Sequence, residues 1–205
     1  GLLMTPLRYK NVKRFGAVMF RRNFNQIFSE GGMWDEASNM YYGIRGAVRV
    51  NSRSKWMFCD ENDRKVSQIS FAHIDRDDGV HAWQGSQIAM IGFDELCHFS
   101  EYVFFYMLSR NRSVCGVKPF IRATCNPDAD SWVAKKRATR FPKGQAHPLD
   151  APADNKIHWV DTREELWEKF DLRTPEERAE PKSVTFIASS VYDNKILLKN
   201  DPGYL

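Results

Sequence analysis

Ile88-Ala89-Met90-Ile91-Gly92-Phe93-Asp94-Glu95 is an apolar run closed by two adjacent carboxylates. A strand buried on both faces of a parallel sheet reads as such a near-continuous apolar stretch. In open α/β sheets, ligands gather beyond the carboxyl ends of the strands. A strand here would therefore deliver Asp94 and Glu95 to that edge. The octamer also fits a strand that simply runs into a helix, with its acids near the positive helix N-terminus. Leu96 to Ser100 leads into a helical pattern, so these eight residues alone do not separate the two readings.

The next segments favour the site. Phe120-Ile121-Arg122-Ala123-Thr124 is a second apolar strand candidate, starting 25 residues after Glu95. It stops at Cys125-Asn126-Pro127-Asp128, where proline biases the preceding residue to an extended conformation. Between the two lies Tyr102 to Leu108, with Ser100 as a candidate N-cap and Glu101 in the first turn. Strand, helix, strand predicts a parallel crossover. Asn126 would then emerge beside Asp94 and Glu95. Paired acids at such an edge suit ATP hydrolysis, one holding Mg²⁺ and the next polarising the attacking water. An amide beside them can sense a γ-phosphate, although an Asn-Pro pair is also a common turn.

Taken together, the chain resembles the ATPase domain of the large terminase subunit of tailed bacteriophages, the motor that packages DNA into proheads. The resemblance rests on Ala17-Val18-Met19-Phe20-Arg21-Arg22, Gly31-Gly32-Met33-Trp34, Trp83-Gln84-Gly85-Ser86, Ile91 to Leu96, Ser109-Arg110-Asn111-Arg112-Ser113, Arg122 to Pro127 and Tyr192-Asp193-Asn194, in that order. It implies an α/β fold of the P-loop NTPase (RecA/ASCE-like) type. That is a three-layer arrangement around a mainly parallel sheet with antiparallel edge strands. It places the family's acidic strand-end motif, Walker B, on Asp94 as metal ligand and Glu95 as catalytic base. Its coupling motif falls on Ala123 to Pro127, with Thr124 and Asn126 relaying the γ-phosphate state. The implied cofactors are ATP and Mg²⁺. The implied partners are double-stranded viral DNA, the portal protein, the small terminase subunit and further copies in a ring, all in the cytoplasm of a bacterial host.

Two departures matter. The family's ATPase domain begins with a phosphate-binding loop of the G-x-x-x-x-G-K-[ST] type, whose backbone N–H groups and Lys hold the phosphates. No Gly-Lys dipeptide occurs in this chain. Relatives often carry Arg at the position of Gln84, where it acts across subunits as an arginine finger. Gln84 lacks that charge, leaving Arg110 and Arg112 as candidates. The expectation is an N-terminally truncated single domain over 1–205, with 141–182 as a loop-rich insertion, without the family's nuclease domain and inactive by itself.

Composition sets wider bounds. The chain has 205 residues, 42% hydrophobic and 27% charged, as expected of a globular protein with one sizeable core. No run of 18 apolar residues suggests a membrane span. Cys59, Cys97, Cys115 and Cys125 form no C-x-x-C pair, and the five histidines share no metal spacing. A net charge of +4 permits DNA binding without arguing for it. Arg45, Arg49, Arg53 and Lys55 form one basic cluster, and Lys135-Lys136-Arg137 with Arg140 another. Each fits phosphate contacts or a solvated face.

Along the chain, Val18-Met19-Phe20 predicts a strand that ends at Arg21-Arg22, on the nucleotide edge. Arginine there can stabilise phosphate or stack on a base, or pair with surface carboxylates. Residues 24–41 read as helical in parts, broken at Gly31-Gly32. Residues 48–74 are β-rich, with turns, and predict antiparallel edge strands. Asp75, Asp77 and Asp78 lie in an acidic loop without calcium-loop spacing. Short strands are expected near 157–160 and 184–187, and helix starts at Thr162 and Thr174. Three functions follow: a motor fragment, an inactive prophage remnant or interaction module, and a metal-dependent nuclease using Asp94, Glu95 and the 75–78 acids. Alternation along a strand would send Asp94 and Glu95 to opposite faces, which weighs against the third.

Overall fold

The computed structural model describes residues 1–126, 128, 130–134 and 199, together with the backbone of two short strands at 158–160 and 182–184. The chain divides into two compact units, Gly1–Phe141 and Pro142–Leu205.

The first unit is built on a six-stranded sheet. Its strands are β1 (Gly16–Arg21), β2 (Ala47–Val50), β3 (Lys55–Cys59), β4 (Lys65–His73), β5 (Met90–Phe93) and β6 (Phe120–Ala123), in the order β2-β3-β4-β1-β5-β6. β1 pairs parallel with β4 and with β5, and β5 pairs parallel with β6. β2 and β3 add antiparallel edge pairing, ending on β4. The expected mixed sheet, parallel at the predicted site and antiparallel at one edge, is the one observed.

Alternation along the central strands sorts side chains to two cores. Ala17 and Met19 of β1 and Met90 of β5 join one core, with Trp34, Ala37 and Tyr41 of helix α2 (Met33–Tyr41) and Ile27 of α1 (Phe24–Phe28). Val18 and Phe20 of β1 and Ile91 and Phe93 of β5 join the other. That second core is closed by Val103 and Met107 of α3 (Glu101–Leu108) and by Val80 from a 3₁₀ segment, Asp77–Trp83. The sheet is thus covered on both faces, giving three layers. All four residues of β5 are buried, as its unbroken apolar sequence requires.

Local signals act where they were read. Gly31 takes a positive φ between α1 and α2, a conformation that costs Gly nothing. Ser100 caps α3 by accepting from the Val103 N–H at 3.2 Å. The acidic segment around 75–78 is part loop and part 3₁₀ turn. The strand expected over 88–93 is shorter, Met90–Phe93, because the Ile88 N–H is taken by the Arg110 carbonyl at 3.1 Å. Buried Asn111 donates through Nδ2 to the Ile88, Ala89 and Phe120 carbonyls at 2.9, 3.3 and 3.2 Å. It ties the entering ends of β5 and β6 together and satisfies acceptors that would be costly to bury unpaired.

In the second unit, β7 (His158–Val160) pairs antiparallel with β8 (Lys182–Val184). The helix starts expected at Thr162 and Thr174, the basic run 135–140, Pro127 and Tyr192-Asp193-Asn194 lie outside the described residues.

Gly92 is where β5 has no room. A Cβ there would collide with Met19 Sδ and meet Leu2 Cδ1 at 3.2 Å, whereas one at Gly16 would meet nothing within 4 Å. Gly92→Ala should cost about 1–3 kcal/mol through overpacking. Gly16→Ala should stay within about 0.5 kcal/mol. Urea unfolding of both variants checks this, and equal costs would overturn it.

Candidate functional site

Three parallel strands end together: β1 at Arg21, β5 at Phe93 and β6 at Ala123. The chain beyond each end builds the site. The Asp94 N–H donates to the Phe20 carbonyl at 2.9 Å, extending the β1–β5 ladder by one bond. The Thr124 N–H does the same to the Phe93 carbonyl at 2.9 Å. Thr124 Oγ1 then donates to Asp94 Oδ1 at 2.7 Å, and Arg21 Nε lies 3.2 Å from Asp94 Oδ2. Asp94 is held from both sides, by a hydroxyl of the β6 end and a guanidinium of the β1 end. The Arg21 Nε–Asp94 contact is close but poorly aligned, since that buried Nε makes no hydrogen bond of proper geometry.

Glu95 leaves the strand altogether. Its backbone is left-handed, φ 57° and ψ 62°, a region that costs a residue with a Cβ about 1–2 kcal/mol. Neighbouring hydrogen bonds impose it. The Leu96 N–H donates to the Thr124 carbonyl at 2.7 Å, and the Glu95 N–H reaches Thr124 Oγ1 at 3.4 Å. Strand alternation therefore stops at Phe93. The expectation that the two acids diverge to opposite faces is corrected: both carboxylates turn to the 124–126 segment. Glu95 accepts from the Asn126 backbone N–H at 3.3 Å and from Asn126 Nδ2 at 3.5 Å. A cavity of about 250 Å³ opens here, lined by Arg21, Glu95, Cys97, His98, Asn126 and Asp128.

Of the residues singled out in the sequence, Asp94, Glu95, Thr124, Asn126 and Arg21 come together. Arg22 does not join them; it pairs with Asp77 at 3.2 Å, the surface-carboxylate alternative. Gln84 sits exposed at the end of the 3₁₀ segment over Asp77–Trp83. Arg110 and Arg112 lie at the other end of β5 from the acids. The Arg110 carbonyl accepts from Ile88, its side chain stacks on Tyr106 at 5.5 Å, and Arg112 Nε caps the Ser109 carbonyl at 3.1 Å. Within one copy neither reaches Glu95. In the basic cluster, Arg49 is taken up by Trp34 and Tyr42, at 4.9 and 5.7 Å from its guanidinium carbon. Arg45 stays exposed, 3.9 Å from Glu61.

Sequence reading missed the thiols. Cys97 Sγ donates to the Asn126 carbonyl at 3.3 Å. Burial pushes the Cys125 thiol up to about 11, with the neighbouring Cys97 thiol and then Glu95 adding to the effect. Without a C-x-x-C spacing, only the pairing of β5 with β6 brings residues 97 and 125 together.

Metal chemistry is bounded by the same geometry. Among the described residues no group of three or more His, Cys, Asp or Glu side chains could hold a metal ion. Asp94 offers one carboxylate with a hydroxyl beside it. That fits a Mg²⁺ that arrives with phosphate and water ligands, and does not fit an all-protein cage.

Parallel strands delivering acids to their carboxyl edge, with covering layers on both faces, define a three-layer α/β protein, an architecture consistent with a P-loop-like fold. The chain belongs to the family described as terminase large subunit, T4likevirus-type, N-terminal, whose sequence model matches residues 7–204. Among solved structures it is similar to the large terminase of a thermophilic bacteriophage, at 15% identity and a TM-score of 0.53, covering 68% of this chain and 33% of that one. A crystal form of the same terminase in complex with ADP aligns at 18% identity and a TM-score of 0.42, covering 56% and 26%. The large terminase ATPase domain of Thermus phage P74-26 aligns at 11% identity and 0.44, covering 84% and 76%. No curated protein matches. The chain spans about a third of the first of these terminases.

The left-handed backbone at Glu95 gives a measurable signature. Glu95→Gly and Glu95→Ala both remove the carboxylate, but only Gly adopts this conformation without a Cβ penalty. Glu95→Gly should be more stable than Glu95→Ala by about 1 kcal/mol in denaturant unfolding. The reverse order would show that the backbone at 95 is not constrained in this way.

Proposed function

We propose that this chain supplies the hydrolytic and coupling half of a terminase ATPase, within a protein that turns ATP hydrolysis into packaging of viral DNA. The observation that carries it is the joined pair Asp94–Thr124 and Glu95–Asn126 across the ends of β5 and β6. Asp94 would hold Mg²⁺, whose chemistry is to neutralise charge on the phosphate oxygens. Glu95 would accept a proton from the attacking water. Thr124 bonds the Asp94 carboxylate and Asn126 the Glu95 carboxylate, so a change of contact at either carboxylate moves the 124–126 segment. That is the physical content of coupling. Arg21, now facing Asp94, would turn to phosphate when nucleotide enters.

The chain contains no Gly-Lys dipeptide, so a phosphate-binding loop has to come from sequence outside these 205 residues. By itself the chain is then expected to hydrolyse ATP poorly. Gln84 carries no charge for an arginine finger; Arg110 or Arg112 of another copy is left for that role in a ring. Portal protein, small subunit and double-stranded DNA are the partners proposed for the parent protein, in the cytoplasm of an infected bacterium. The same missing dipeptide favours the second reading, an inactive remnant or interaction module. The nuclease reading gains nothing from the geometry: Asp94 is bound to Arg21 and Thr124, and Asp77 to Arg22.

ATP turnover by this chain, with and without the coding sequence directly upstream of Gly1, separates the first two readings. Turnover restored by an upstream phosphate loop supports the motor; none, with the loop in place, sinks it. In the restored protein, Glu95→Gln should lower kcat by roughly 10²–10⁴-fold with nucleotide binding retained. Arg21→Gln should weaken nucleotide binding, because Arg21 lines the cavity. An unchanged nucleotide affinity, read by titration calorimetry, would remove Arg21 from the site.

A further inference from the structure

We propose that Cys97 and Cys125 are a reversible redox pair whose disulfide clamps the Asn126 segment onto the Glu95 loop. Both thiols are free and partly exposed, so an oxidant can reach them. The Leu96 N–H to Thr124 carbonyl bond, 2.7 Å, joins the residues that immediately precede the two cysteines. Cys97 Sγ already reaches past Cys125 to the next carbonyl, Asn126, at 3.3 Å. The other two cysteines are engaged differently. Cys59 ends β3 beside Lys65, and Cys115 contacts Ser113 Oγ at 3.2 Å.

The two thiols divide the work by environment. Cys125 packs against the core that contains Phe93 and Phe99, whereas Cys97 lines the open cavity. Hydrogen peroxide is the oxidant class considered. The Cys97 thiolate attacks one peroxide oxygen, the O–O bond breaks and hydroxide leaves, giving a sulfenic acid at Cys97. Cys125 sulfur then attacks the Cys97 sulfur; the S–S bond forms, the S–O bond breaks and water leaves. In sum, two thiols and one peroxide give one disulfide and two waters. A thiol reductant reverses the bridge by exchange.

The bridge would bracket the Glu95–Asn126 contacts from outside, one cysteine two residues after Glu95 and the other directly before Asn126. If these contacts couple hydrolysis to movement, a consequence that rests on the function proposed above, the oxidised form is arrested.

The test uses the full 205-residue chain and needs no ATPase activity. The chain is treated with hydrogen peroxide, its free thiols are alkylated, and its peptides are mapped by mass. Free thiols should fall from four to two, with a Cys97–Cys125 linked peptide lighter by two hydrogens and restored by dithiothreitol. Cys59→Ser/Cys115→Ser should keep the bridge, and Cys97→Ser should lose it. Amide hydrogen exchange around 124–126 should slow on oxidation and recover on reduction. A stable sulfinic acid at Cys97, a bridge to Cys59 or Cys115, or an intermolecular dimer in place of the internal link would overturn the pair. A bridge with unchanged exchange would overturn the clamp. Because each readout is independent of ATP turnover, failure here leaves the function proposed above standing, and the converse also holds.

Discussion

The site depends on β5 being hydrogen-bonded along both edges and buried on both faces. β1 on one side and β6 on the other fix its register, and two apolar cores fix its faces. A strand so confined has no freedom at its end. Each chain leaving the sheet there must find partners for backbone groups that the ladder no longer serves. The Asp94, Thr124 and Leu96 amides find them in Phe20, Phe93 and Thr124. The polar side chains that follow are then brought into contact as a consequence of backbone pairing.

That order of causes explains the strain at Glu95. A short turn has to carry the chain from β5 to the cap of α3 while the Leu96 N–H stays bonded to Thr124. The left-handed turn at Glu95 meets both demands at about 1–2 kcal/mol. Strain of this kind persists only where surrounding contacts over-determine it, and it concentrates at functional sites. Here it redirects the carboxylate from the face that alternation would give it to the side where Asn126 waits. The membership of the chain in the terminase large subunit family gives this geometry its context.

The charges around the acids divide along similar lines. Arg21 and Arg22 are neighbours in sequence, yet one faces Asp94 and the other Asp77. Successive side chains at the end of a strand leave in opposite directions, so the Arg-Arg pair spans two acidic groups. Arg110 and Arg112 follow α3 back to the entering edge of the sheet, where Asn111 between them braces β5 to β6. The short loop therefore holds the register while its arginines contact Tyr106 and Ser109, at the opposite end of β5 from the acids.

Much was legible in the chain itself. The apolar run 88–93, the second run at 120–124 and the Ser100 cap depend on local composition and period. They announced a parallel strand–helix–strand unit with two acids at its edge, because a doubly buried strand tolerates little else. The length of β5, the turn of Glu95, the separation of Arg110 and Arg112 from the acids and the meeting of Cys97 with Cys125 were decided by tertiary structure alone. Each depends on which backbone groups β6 and the Arg110 loop satisfy, across 22 to 31 residues of chain. Spacing in sequence carries no record of that pairing, so only the folded sheet could determine it.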